Sequence, residues 1–366
     1  MGLSKQASRE ELVMDFNRTY NVSRSPVKKI ALEEHFTTPT LLRYSGEEVS
    51  IIAPEQMAFI GKAVMDLDGP RIEEMDRYGI DTSILSVTTP GVQVEPEAQT
   101  AVRVAKEAND YLAAAVQRHP KRLMGFAHLP MQSPKQAADE LERAVKQLGF
   151  KGALLNGATN GEYYDNQKFW PVWERAEALQ VPIYLHPANA PDVTAAIKGY
   201  PELAGSLWGW TPETATHALR LIFGGVFDRF PKTTLILGHM GETLPYLLWR
   251  LDSRCQLNKA KKIPKNPSQY IRENIIITIA GVFAFPPLLC ALLALGSDRV
   301  LFSIDFPYES TKDAVEFIEG APLSPLDREK ICHLNAERVL GLSADRAVSP
   351  AEIASGTADA RREAVA

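Results

Sequence analysis

The chain predicts an α/β protein built as a (β/α)8 TIM barrel with long capping βα loops, and three observations carry that expectation. Eight short β-rich runs recur at 29–32, 82–87, 123–127, 152–155, 182–185, 234–237, 275–279 and 300–303. Stretches with apolar residues at helical spacing separate them. The 366 residues, 45% of them hydrophobic, form one continuous pattern without a second composition block, which suits one large barrel better than two domains. A doubly wound sheet is the alternative arrangement.

Taken in order, residues 1–27 are polar and mixed in charge, with a helix-like patch from Glu10 to Phe16, and read as an N-terminal arm. The barrel, the catalytic domain, is expected over 28–343. Its third intervening stretch, 134–148, puts Ala137, Leu141, Ala144, Val145 and Leu148 on one face. A later one, 211–227, does the same with Ala215, Ala218, Leu219, Leu221, Ile222 and Val226. Two segments break the rhythm: 40–69 after the first strand, and 187–211 after the fifth, which holds Tyr200, Trp208 and Trp210. Loops at those places overhang the C-terminal mouth of a barrel, and their aromatic content suits a flat apolar ligand. Residues 344–366, rich in Ala, Ser, Asp and Arg, read as a flexible C-terminal tail.

Charge and cysteine usage narrow the function. Acidic and basic residues are interleaved to a net charge of −5, so no basic stripe points to nucleic acid or an anionic membrane surface. The three cysteines, Cys255, Cys290 and Cys332, include no C-x-x-C pair, which excludes a zinc knuckle and fits reduced thiols. The apolar run at 285–295 is too short and too proline-marked to span a bilayer, and no signal-peptide core precedes the barrel, so a cytoplasmic protein is expected. No Gly-rich dinucleotide or P-loop motif is present, and small-molecule chemistry is the remaining class.

The residues at the strand ends give that chemistry. Glu33 and His35 follow the first strand, Asn156 the fourth, His186 the fifth, His239 the sixth and Asp305 the eighth. Strand ends of a barrel meet at one face, so these converge. Glu33, His35, His186 and Asp305 offer two carboxylates and two imidazoles, a donor set that suits Zn²⁺ or Mn²⁺ with a position left for water or substrate. A single metal fits best, because the fourth strand ends in Asn156 and Lys151 lies at its wrong end. Glu242, three residues past His239, is placed to hold its imidazole as an acid/base dyad; the alternative is a helix N-terminal charge. Arg250 on the same helix either pairs a substrate carboxylate or makes a surface salt bridge. His119, His217 and His333 default to core or surface roles, and His128 is left unassigned.

The segments Ala31-Leu32-Glu33-Glu34-His35-Phe36, Leu185-His186-Pro187, Leu237-Gly238-His239-Met240-Gly241-Glu242 and Phe302-Ser303-Ile304-Asp305-Phe306-Pro307 resemble the decarboxylase branch of the amidohydrolase superfamily. The γ-resorcylate (2,6-dihydroxybenzoate) decarboxylases are nearest in pattern, over about 28–342. The resemblance implies one divalent metal ion per subunit, Zn²⁺ or Mn²⁺, on Glu33, His35, His186 and Asp305, with His239 and Glu242 beside it. It implies Asn156, Arg250 and Tyr308 on the substrate side, and His35 favours the resorcylate-like group. Asp305 is then the proton donor in a reversible, non-oxidative decarboxylation of a hydroxylated aromatic acid. A homodimer or homotetramer is also implied. The rival enzyme reading is mononuclear metal-dependent hydrolysis of a lactone or amide, and a non-enzymatic binding barrel is the third.

Overall fold

The computed structural model describes residues 27–45, 52–191, 197–259 and 262–342. The expected tail and, apart from Val27, the expected arm lie outside the described residues. Among the described residues nine strand segments form, β1 (Ile30–Phe36), β2 (Thr82–Val87), β3 (Leu123–Gly125), β4 (Ala127–His128), β5 (Ala153–Asn156), β6 (Ile183–His186), β7 (Leu235–Leu237), β8 (Ile275–Thr278) and β9 (Val300–Leu301). Neighbours pair in parallel throughout. β3 and β4 are two halves of one barrel strand. Between them Phe126 donates its N–H to Leu85 O at 2.9 Å, while Ala127 donates to Gly152 O at 2.8 Å, so pairing passes from β2 to β5. A parallel bridge between Leu32 and Ser303 joins the last strand to the first. The result is the expected eight-stranded (β/α)8 barrel.

Both faces of the sheet are buried, as parallel sheets require. Ile30, Leu32, Ile84, Phe126, Leu154, Tyr184, Ile236, Ile276 and Leu301 fill the barrel interior, one or two from each strand. Leu85, Leu155, Leu185, Leu237 and Ile277 face the surrounding helices instead. Those helices are α1 (Pro54–Ala63), α2 (Gly69–Tyr78), α3 (Ala98–Arg118), α4 (Pro134–Leu148), α5 (Trp170–Leu179), α6 (Trp210–Phe223), α7 (Leu244–Gln256), α8 (Pro267–Asn274), α9 (Phe285–Leu295) and α10 (Thr311–Gly320). α4 has proline in its first turn and stops at Gly149, which takes φ 74° as a left-handed cap. The helix expected over 211–227 stops at Phe223, because Gly224 and Gly225 intervene and Gly225 turns to φ 77°. Among the described residues no helix is long and apolar enough to cross a membrane.

β1 differs most from expectation. It runs on through Phe36, so Glu33 and His35 lie inside the strand and not beyond its end. Its pairing also slips: Ala31 opposes Ser83 while Glu34 opposes Leu85, which puts one extra residue into β1 at Glu33, where φ is 67°. Before that bulge Ile30 and Leu32 face inward. After it the parity reverses, so Glu33 and His35 enter the barrel while Phe36 joins the outer core.

Candidate metal centre and acid/base site

Glu33, His35, His186 and Asp305 each offer a ligand atom, and these atoms lie within 4.8 Å of one another. β1 supplies the first two, the last residue of β6 supplies His186, and the turn after β9 supplies Asp305. Glu33 Oε1 stands 3.5 Å from His186 Nε2, and Asp305 Oδ1 stands 3.0 Å from His35 Nε2. Buried polar atoms are normally hydrogen-bonded. Yet Glu33 Oε1, His35 Nδ1 and Nε2, and Asp305 Oδ1 are buried and make no hydrogen bond. Their donor chemistry, two carboxylates and two imidazoles, fits a divalent Zn²⁺ or Mn²⁺ ion.

The surrounding bonds prepare the same atoms. His186 Nδ1 lies 2.8 Å from Pro187 O, so Nδ1–H donates there and Nε2 is left as a free lone pair facing the cluster. Burial, with His35 next, holds the His186 imidazole well below its ordinary value and therefore neutral. Glu33 is gripped by its other oxygen: Tyr184 OH and Thr278 Oγ1, the latter at 3.2 Å, both donate to Oε2. Burial pushes the Glu33 carboxyl up to about 8, against the pull of His239. Tyr184 and Thr278 escaped the sequence reading. The available signal was a phenol at an inward position between Ile183 and Leu185.

His239 Nδ1 donates to Glu242 Oε1 at 2.7 Å, the expected dyad. Its Nε2 faces Asp305 Oδ2 at 3.6 Å and Glu33 Oε1 at 3.7 Å. Burial alone lowers the His239 pKa, but Glu33, Glu242 and Asp305 outweigh it and hold the ring well above its ordinary value. Burial likewise raises Asp305, and its contacts with His239 and His35 outweigh that and hold it below the usual carboxylate range. Between these two groups the shifts favour a proton on His239 over one on Asp305. Glu33, His239 and Asp305 take φ of 67°, 50° and 77°, strained values for side chains of this kind, and such strain gathers at functional sites. Gly238 serves differently from a turn glycine. Its φ is −69°, open to any residue, but a Cβ there would lie 2.7 Å from Glu33 Oε1.

The three residues expected on the substrate side divide. Tyr308 is beside the cluster, its ring edge-on to His35 at 5.6 Å and its hydroxyl 2.5 Å from Thr88 Oγ1. Asn156 is buried, with its amide nitrogen donating to Val87 O at 3.1 Å and Thr88 O at 3.3 Å, so it anchors the end of β2; its Oδ1 makes no hydrogen bond. Arg250 is not brought to the cluster: it is exposed on α7 next to Trp249. Trp210, at the start of α6, has its ring 6.4 Å from His186, and its Nε1 donates to Asn189 Oδ1 at 2.7 Å.

Known proteins are similar to this chain in sequence and fold. The amidohydrolase family profile matches residues 61–342. A γ-resorcylate decarboxylase of Polaromonas sp. (strain JS666 / ATCC BAA-500) is 42% identical over 327 residues, covering 86% of this chain and 99% of that protein. The crystal structure of a 2,6-dihydroxybenzoate decarboxylase complexed with 2,6-dihydroxybenzoate is 39% identical, covers 86% of this chain and 100% of its own, and superposes with a TM-score of 0.82. A dihydroxybenzoic acid decarboxylase from Polaromonas sp. JS666, with bound manganese and the inhibitor 2-nitroresorcinol, is 41% identical with a TM-score of 0.81, over 87% of this chain and 98% of its own. The chain belongs to the amidohydrolase family, and within it to the group of the γ-resorcylate decarboxylases.

Proposed function

We propose that the protein is a metal-dependent, non-oxidative decarboxylase of hydroxylated aromatic acids of the γ-resorcylate type, able in reverse to carboxylate phenols. The observation that carries this reading is the set of buried ligand atoms on Glu33, His35 and Asp305 that make no hydrogen bond, with the His239–Glu242 pair beside them. Glu33, His35, His186 and Asp305 hold one divalent ion. Mn²⁺ is the ion in the related Polaromonas structure, and the donor set admits Zn²⁺ as well. When bound, such an ion supplies a Lewis acid that draws charge from the carboxylate and ortho-hydroxyl oxygens of the substrate.

The chain's own groups move the proton. His239 holds it at Nε2, with Glu242 fixing Nδ1–H, and Asp305 Oδ2, 3.6 Å away, relays it to the carboxyl-bearing ring carbon. That carbon gains a proton, its bond to the carboxyl group breaks, the electron pair restores the aromatic ring, and CO₂ leaves. Tyr308 and Trp210 wall the ring in, and Asn156 keeps the β2 end in place beneath it. Incubating mono- and dihydroxybenzoates with the metal-analysed protein should release CO₂ from 2,6-dihydroxybenzoate. Turnover of a lactone with every hydroxybenzoate left intact would overturn the reading in favour of hydrolysis.

The same proposal includes a homodimer or homotetramer. Tyr246 and Trp249 on α7 and Leu293 on α9 are 80%, 76% and 82% exposed, on two helices that pack together, an apolar row suited to a second copy. Arg250 lies on that row, so its place is at the contact between copies.

A further inference from the structure

Glu34 and Arg71 take no part in the cluster, yet both are buried, at 2% and 3% exposure, and both attach to the chain segments that carry it. The seam between the first and last barrel strands begins regularly, with Leu32 N donating to Phe302 O at 3.2 Å and Leu32 bridged to Ser303. A regular parallel ladder next sends the Ile304 N–H to Leu32 O. Glu34 Oε1 accepts from this same N–H at 3.0 Å. Main-chain pairing continues one step on, where His35 N donates to Phe306 O at 2.7 Å. The step that Glu34 reinforces is the one flanked by Glu33 at φ 67° and Asp305 at φ 77°, the two residues whose backbones turn their carboxylates inward.

Arg71, on α2, fastens the same place from outside. Its Nη2 donates to His35 O at 2.6 Å and to Ala63 O at 2.9 Å, its Nε donates to Asp66 O at 2.7 Å, and its guanidinium lies 4.9 Å from the centre of the Phe306 ring. One side chain thereby ties β1, the end of α1 and the turn carrying Asp305. The planar fork of arginine permits this; a lysine ammonium at the same depth cannot span three carbonyls and a ring.

We infer that Glu34 and Arg71 are positioning residues for the metal centre: the Glu34 carboxyl group holds the Ile304 N–H at the seam, and Arg71 locks both sides of it. Three of the four ligand residues, Glu33, His35 and Asp305, depend on this seam. The inference rests on the reading of those residues as metal ligands.

The test is calorimetric titration of Mn²⁺ into metal-free protein, together with the melting temperature of each metal-free variant. Glu34→Gln keeps a carbonyl acceptor for Ile304 and should bind Mn²⁺ within about threefold of wild type. Glu34→Leu removes the acceptor and should weaken binding about 10–100-fold, the range for partners that orient metal ligands. Arg71→Lys should weaken it about tenfold. Should Glu34→Leu fail to fold, Arg71→Lys decides alone. A purely structural role would lower metal-free melting temperatures and leave Mn²⁺ affinity unchanged, which overturns the inference. Equal losses in Glu34→Gln and Glu34→Leu overturn it too. Wild-type protein that takes up no Mn²⁺ or Zn²⁺ instead sinks the proposed metal centre itself, a distinguishable result.

Discussion

At Asp305 two demands meet in one carboxylate. Its Oδ1 lies 3.0 Å from His35 Nε2 at the proposed metal site, while Oδ2 faces His239 Nε2 at 3.6 Å. Asp305→Asn keeps the shape and loses the proton relay, so it should bind some metal and lose about 10²–10⁴-fold in kcat, the usual worth of a positioned acid. Near-normal turnover removes Asp305 from the relay. At Glu33 the decisive groups are neighbours that never touch substrate. Tyr184→Phe takes one of two donors from Oε2 and should weaken Mn²⁺ binding about tenfold, read by titration, with the fold retained. Gly238→Ala, whose Cβ would press on Glu33 Oε1, should cost more metal affinity than that although its backbone angles suit alanine.

Elements set the pH response. His128, ending β4, accepts the Val92 N–H at Nε2, and His217, on α6, accepts the Tyr164 N–H, each at about 3 Å. Burial pushes both imidazoles down to about 3, from an ordinary 6.5. Both are neutral in the folded protein, whereas the unfolded chain protonates them below pH 6.5. Their contribution to stability is therefore whole above pH 6.5 and is lost as the pH falls toward 3. Each should add up to about 1.4 kcal/mol per pH unit to the decline. Denaturant unfolding from pH 6.5 to 4.5 should show a shallower slope in the His128→Gln, His217→Gln double variant; an unchanged slope would contradict the assignment. The bulge in β1 acts at this scale too, since one inserted residue reverses which side chains enter the barrel.

For the molecule as a whole, the proposed metal centre would couple metal binding to folding. Glu33 buried beside Asp305 is costly without a cation, which its raised pKa expresses. Metal at about a hundred times its Kd should add about 2.7 kcal/mol, and chelation should lower the melting temperature by about 5 °C for a domain of this size. A melting curve indifferent to chelator would argue against a bound ion. Trp249→Asp with Leu293→Asp should convert an oligomer to monomer by light scattering, and a native monomer would leave the apolar row without that role.

Periodicity favoured the barrel and left a doubly wound sheet as the alternative: hydrophobic runs at regular intervals bury both faces of a parallel sheet in only a few ways, and eight of them can close a ring. The identities of Glu33, His35, His186, His239, Glu242 and Asp305 were legible as well, because strand ends of such a ring share one face. How they meet was not. A strict alternation starting from Ile30 and Leu32 would turn Glu34 inward, and only the bulge at Glu33 puts Glu33 and His35 there. Tyr184 and Thr278 carried no motif that marked them, and Arg250, with a substrate clamp and a surface salt bridge both open to it, stands on an exposed helix face. Composition and spacing report which face a residue prefers. Register shifts, left-handed backbone angles and contacts between strands hundreds of residues apart depend on the closed barrel, so the tertiary structure alone decides them.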